Sequence, residues 1–256
     1  MSVLNEGDRV LVYIDKKRRF LITLERNGIL GTDKGFIKHS DIIGKNYGDT
    51  VETSFGVKAF LYKPLLIDYQ YVITRKTQII YPKDAAFMIY LSGIKPGSRV
   101  LEAGVGSGFL TISLANFIGS NGKVYGFDIE PEFLKTTSLN LEKAGLIDRV
   151  ELKLGDVRES VDLRDLDAVF YDLPDPWNAL ETAYSVLKPL HPVLIYVPTV
   201  NQVEKTVVEM REKGLFTDIN VYELLLREYI VEKNATRPKT MAIGHTGYII
   251  FARRIK

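Results

Sequence analysis

Four acidic residues stand at the ends of short apolar runs in the second two thirds of the chain. Glu102 lies in Val100-Leu101-Glu102-Ala103-Gly104-Val105-Gly106-Ser107-Gly108, and Asp128 follows Phe127. Asp156 lies in Gly155-Asp156-Val157, and Asp172 opens Asp172-Leu173-Pro174-Asp175-Pro176-Trp177. A glycine turn that closes an apolar run lets backbone approach a ligand, because glycine has no Cβ and accepts unusual φ/ψ. The spacing Gly-x-Gly-x-Gly differs from the Gly-x-Gly-x-x-Gly of pyrophosphate binders, and Glu102 would repel a phosphate while favouring an ammonium group.

S-adenosylmethionine carries such a group, and the later carboxylates suit its other parts. Asp128 stands 20 residues past Gly108, where an acidic side chain accepts both hydroxyls of a ribose. Asp156 could accept from an adenine amino group. Each of these residues taken alone also fits a cap or a tight turn; together they line the crevice where doubly wound sheets bind ligands. At the fourth run, two prolines break the strand into a rigid turn. Attack of a neutral ring nitrogen on a sulfonium yields a positively charged base, so Asp172 in that turn would stabilise the developing charge. A turn that merely stops a strand, with Asp175 capping the next helix, is the plainer alternative.

The elements that must position these residues can be read from periodicity. From Gly7 to about Tyr71, short runs such as Val10–Ile14 and Phe20–Leu24, rich in β-branched and aromatic residues and bounded by glycines, predict a small β-domain with no helix before Lys83. Beyond Tyr81-Pro82, a helix near Asp84–Leu91 opens an alternation of strands (Arg99–Ala103, Lys123–Phe127, Val150–Leu154, Ala168–Asp172, Val193–Val197) and helices (Phe109–Phe117, Pro131–Ala144, Val200–Lys213). Strands near Phe216–Leu226 and Gly247–Arg253 would complete an α/β, doubly wound, mostly parallel sheet. The predicted domains are 1–72 and 73–256.

Composition bounds the rest. With no cysteine among 256 residues, disulfides, thiolate metal sites and thiol nucleophiles are excluded, and no metal is expected. No apolar run is long enough for a membrane span and no secretory leader is evident, so the expectation is a cytoplasmic protein. Residues 1–83 carry 14 Lys/Arg against 9 Asp/Glu, whereas the remainder carries 20 against 23. That asymmetry fits an N-terminal part that meets phosphates, or simply a solvated basic face.

The Gly loop and its carboxylates resemble the class I S-adenosylmethionine methyltransferases over roughly Gln78 to Arg254. Thr77-Gln78-Ile79-Ile80-Tyr81-Pro82-Lys83-Asp84, the Asp172–Trp177 turn, Arg237-Pro238 and His245-Thr246-Gly247-Tyr248 sharpen this, resembling the TrmI family of tRNA (adenine-N1)-methyltransferases. The resemblance extends over essentially the whole chain and includes Gly35-Phe36-Ile37. It implies a Rossmann-like fold and methylation of N1 of a T-loop adenine. It also implies tRNA as partner and a noncovalent homotetramer.

On that resemblance the cofactor is held by Gln78, Glu102, Gly104, Val105, Gly106, Ser107, Gly108, Phe109 and Leu110. Asp128, Ile129, Gly155, Asp156, Val157 and Asp172 complete that set. Asp172 and Tyr81 are the catalytic candidates. Tyr81, Pro174, Trp177, Arg237 and His245 are the substrate-binding ones. Val105 departs from the family pattern, where many relatives carry Thr. A methyltransferase for a small molecule or a protein carboxylate, and a non-catalytic RNA-binding subunit, remain the alternatives.

Overall fold

The computed structural model describes residues 3–159 and 161–256. Contacts divide the chain into two compact units, Met1–Thr74 and Arg75–Lys256.

The first unit contains β1 (Arg9–Asp15), β2 (Arg18–Thr23), β3 (Ile29–Thr32), β4 (Gly35–Lys38), β5 (Thr50–Glu52) and β6 (Lys58–Tyr62). Strands β2-β1-β6-β5 form an antiparallel sheet, and β3 pairs with β4 as a hairpin. Alternation turns Val10, Val12, Ala59 and Leu61 into a core with Leu4, Leu24, Ile37, Ile42 and Val51. The unit is not wholly β: a 3-10 turn spans His39–Asp41, and the short helix α1 spans Tyr69–Val72. Elements of three or four residues complete too little of a helical period to leave a pattern in the sequence.

The second unit runs α2 (Pro82–Ser92), β7 (Arg99–Ala103), α3 (Phe109–Ile118), β8 (Lys123–Asp128), α4 (Pro131–Ala144), β9 (Val150–Leu154), β10 (Ala168–Tyr171), α5 (Leu180–Val186) and β11 (Pro192–Val197). It continues through α6 (Val200–Lys213), β12 (Phe216–Glu223), β13 (Tyr229–Ile230), β14 (Arg237–Pro238) and β15 (Tyr248–Arg254). The sheet order is β12-β15-β11-β10-β7-β8-β9. Strands β7 to β11 are mutually parallel, and β15 runs antiparallel between β11 and β12. This is the doubly wound, mostly parallel sheet expected.

Several boundaries differ from expectation. Helix α2 begins at Pro82, whose missing N–H costs nothing at the first helical position. Strand β10 ends at Tyr171, leaving Asp172 in the turn, and β12 stops at Glu223. Central strands are buried on both faces, as Val100, Leu101, Val169, Phe170, Val193 and Leu194 illustrate. Tyr171 and Ile195 on one face meet Ala183 of α5 and Met210 of α6 in one core. Among the described residues no helix is long and apolar enough to cross a membrane.

Candidate active site

Parallel pairing aligns the chemistry-bearing residues along one edge of the sheet. Tyr171 is in register with Ala103, Ala103 with Phe127, and Asp128 with Leu154. The ladder runs one step further: Asp172 N–H donates to Ala103 O at 2.9 Å, Gly104 N–H to Phe127 O at 2.9 Å, and Gly155 N–H to Asp128 O at 3.1 Å. Strand β7 lies between β8 and β10, so the winding reverses at its end, where sheets of this class bind ligands. A cavity of about 440 Å³ opens there.

The glycine loop is pinned from beneath. Gly106 and Gly108 have φ of +52° and +81°, and a Cβ would stand 2.6 Å from Thr77 Oγ1 at the first and 2.8 Å from Thr137 Cγ2 at the second. Only glycine combines that backbone with that proximity. Thr137 Oγ1 donates to Gly106 O and Asn140 Nδ2 to Ser107 O, both at 2.9 Å. Ser107 Oγ accepts from the N–H groups of Lys76 (2.9 Å) and Thr77 (3.0 Å). Its side chain therefore fastens the segment leading to Tyr81, while its backbone borders the cavity.

Three carboxylates dominate the electrostatics. Glu102 is 1% exposed and its Oε2 has no protein partner. Burial pushes its pKa up to about 8, with the Asp172 and Asp128 charges adding. Asp172, half-buried at the cavity wall, is pushed up to about 7, by desolvation first and then by Asp128. Asp128 is oriented by the backbone: Oδ2 accepts from Gly106 N–H at 3.1 Å and Oδ1 from Glu130 N–H at 3.0 Å. An orphaned buried carboxylate oxygen beside two further acids suits a cationic ligand, which repays the desolvation that a lone anion cannot.

Of the residues singled out from the sequence, Gln78, Glu102, Gly104–Leu110, Asp128, Ile129, Gly155, Asp156, Val157, Asp172 and Pro174 all line this cavity. Val105 is buried and packs toward Gly126. Asp156 is already engaged: Arg158 forks onto it with Nε at 2.8 Å and Nη2 at 2.5 Å, and this hydrogen bonding holds its carboxyl below the usual range. Asp175 does not cap the next helical turn with its side chain; it accepts from Arg158 and from Asn178 Nδ2.

The remaining candidates lie outside the cavity lining. Tyr81 is the residue before α2. Trp177, in a 3-10 turn, carries Lys205 Nζ 4.2 Å above its ring. Arg237 is on the small β13–β14 ribbon. His245 has both ring nitrogens occupied, Nδ1 by Glu223 Oε1 at 2.7 Å and Nε2 by Pro198 O at 2.8 Å, and its ring lies 4.8 Å from that of Tyr248.

Sequence reasoning missed Thr77, Ile79, Phe133, Arg158 and Asp175 as cavity residues. Phe133 had one usable signal, its place in the first turn of a helix that follows a ligand-facing strand end. For Arg158 there was none, since a lone arginine in a loop reads as solvated surface.

Comparison with known proteins gives the family. A family model described as the tRNA methyltransferase complex GCD14 subunit matches residues 64–237, and one described as TrmI-like N-terminal matches residues 3–51. The tRNA (adenine(57)-N(1)/adenine(58)-N(1))-methyltransferase TrmI of Methanocaldococcus jannaschii is 38% identical over 249 residues, covering 87% of each chain. Among solved structures, a SAM-dependent O-methyltransferase from Thermotoga maritima is similar, with a TM-score of 0.89, 38% identity and coverage of 99% of this chain and 95% of that one. The tRNA (m1A58) methyltransferase TrmI of Aquifex aeolicus has a TM-score of 0.81 at 32% identity, covering 100% of each chain. The two family models together span both units, and the chain belongs to the GCD14/TrmI family of tRNA methyltransferases.

Proposed function

We propose that this chain is an S-adenosylmethionine-dependent enzyme that methylates N1 of a T-loop adenine in tRNA. The observation that carries the reading is the meeting of buried Glu102 and Asp128 with half-buried Asp172 around one cavity at the end of β7. When bound, the sulfonium donor supplies an electrophilic methyl carbon. Glu102 and the Gly104–Gly108 loop would hold its methionine part, Asp128 the ribose, and the Asp156 side of the cavity the adenine. The negative potential of Asp172 favours the charge that a ring nitrogen acquires on attack, and its carboxylate can accept an amino proton. No nucleophilic side chain is needed, in keeping with a chain that lacks cysteine.

The acceptor is argued from family membership and from the relative in Methanocaldococcus jannaschii, whose name specifies N1 of adenines 57 and 58. N1 lies on the pairing edge, so the base must leave its stack before attack. Tyr81, Pro174, Trp177, Arg237 and His245 are assigned to the tRNA side, with Tyr81 as a stacking surface and Arg237 as a phosphate contact. The basic N-terminal unit is assigned to tRNA contact and assembly. Assembly as a noncovalent homotetramer is supported by the exposed Leu225, Leu226, Val231, Met241 and Ile243 on the segment around β13 and β14.

Incubation of the protein with unmodified tRNA and methyl-labelled donor tests the reading, with label expected in 1-methyladenosine. Label in another nucleoside or none overturns it, and turnover on a small molecule or carboxylate without RNA would favour O-methyl transfer, the activity named for the Thermotoga maritima protein.

A further inference from the structure

The loops after β9 and β10 belong to strands on opposite sides of the sheet's centre, with β7 and β8 between them. At roughly 4.8 Å per step those strands stand about 14 Å apart. One side chain joins the two loops. Arg158 places Nε 2.8 Å from both oxygens of Asp156 and Nη2 2.5 Å from Oδ2, while Nη1 reaches Asp175 Oδ1 at 3.1 Å and Oδ2 at 3.0 Å. All three residues line the cavity, so the guanidinium straps together the two loops that border it.

Asp175 belongs to the turn that begins with Asp172. That turn has other tethers: Gln202 Nε2 donates to Pro174 O at 2.9 Å, and Asn178 N–H donates to Asp175 O at 3.0 Å. Both come from the acceptor side of the sheet. Arg158 alone of these three tethers ties the turn to the loop that carries Asp156. Its side chain is 34% exposed, and the carboxylates' are 29% and 22% exposed. Pairs so wet contribute little stability, whereas a planar fork holding two carboxylates at set angles contributes geometry.

We propose that Arg158 is a positioning residue: it links the donor's adenine end at Asp156 to the placement of the Asp172–Asp175 turn against the base being methylated. The inference rests on the reading of donor and acceptor given above. Arg158 touches neither the transferred methyl nor the attacking nitrogen, and it acts through Asp175. Lysine cannot substitute, because a point charge lacks the fork that engages both partners.

The only tryptophan of the chain, Trp177, lies two residues past Asp175 and outside the cavity lining, so its emission reports the turn independently of turnover. Titration with S-adenosylmethionine should shift Trp177 emission in the wild type. In Arg158→Ala and Arg158→Lys that shift should be lost, while calorimetry finds the donor bound within about threefold of wild type and the melting temperature stays put. With saturating tRNA, kcat should fall roughly tenfold in either variant and in Asp175→Ala, and the Arg158→Ala/Asp175→Ala double variant should be no slower than the single ones. An unchanged fluorescence response, additive losses, or a kcat equal to wild type would overturn the proposal. Absence of methylated tRNA with the wild type itself would instead overturn the functional reading, and the fluorescence comparison would still score the strap.

Discussion

The backbone oxygen of Asp172 packs against Gly104 so closely that a Cβ on Gly104 would stand 2.1 Å from it. Gly104 also has φ of +81°. Gly104→Ala therefore combines about 1–2 kcal/mol for a left-handed backbone with about 1–3 kcal/mol of overpacking against atoms that cannot swing aside. Gly97, at φ +92° with open space around it, is the control, and its change to Ala should show the backbone cost alone. Urea denaturation of the two variants measures the difference; equal losses would mean that the contact with Asp172 yields freely.

Asp172→Asn keeps the shape of the side chain and removes the charge that faces the cavity. If the carboxylate acts in the transition state, kcat drops by about 10²–10³ while calorimetric affinity for the donor changes only a few-fold. Parallel losses in both quantities would move Asp172 from chemistry to binding.

The pH behaviour follows from two acids with raised folded-state values, Glu102 at about 8 and Asp172 at about 7, each set chiefly by burial. The folded protein binds these protons more tightly than the unfolded chain. Their contribution to stability is therefore full below about pH 4 and is lost as pH rises toward 8. Donor-free protein should melt at progressively lower temperature from pH 5 to 8, and Glu102→Gln should flatten that slope. Donor affinity and kcat/KM should rise across the same window, since the carboxylates must be ionised to meet a cation. Melting curves and pH-rate profiles check both signs, and a melting temperature that climbs through this window would contradict the assignment.

Asp84 is fully buried at the start of α2, where Oδ1 accepts from Lys83 Nζ and Oδ2 from Thr246 Oγ1, both at 2.7 Å. Lys83 Nζ also donates to Thr246 Oγ1 at 2.6 Å, closing the group. Asp84→Ala leaves an ammonium with 12% side-chain exposure and no counter-charge here, and should cost about 3–5 kcal/mol in chemical denaturation. Lys83→Met/Asp84→Leu, which removes both charges, should recover much of that loss. A double variant as unstable as the single one would show that hydrogen bonding to Thr246, rather than charge pairing, holds α2 in place.

The residues Val100 to Gly108 carried their own placement, because a buried apolar run, a glycine turn and a helix are local patterns with local physical causes. The same holds for Asp128 and Asp172, which end runs whose parallel pairing must bring their tails to one edge. Local pattern also sufficed to read the resemblance and the sheet class.

What the chain order could not reveal depends on which distant segments meet. The hydroxyl of Ser107 turns to Lys76 and Thr77, Asp84 finds Thr246 across 162 positions, and Arg158 reaches Asp175 as well as its neighbour Asp156. The protonation of Glu102 belongs to the same class, since a carboxyl in sequence is an ordinary acid until folding removes its water and sets two other acids nearby. Turn and strand signals are encoded residue by residue, whereas desolvation and long-range pairing exist only once the tertiary structure has chosen the neighbours.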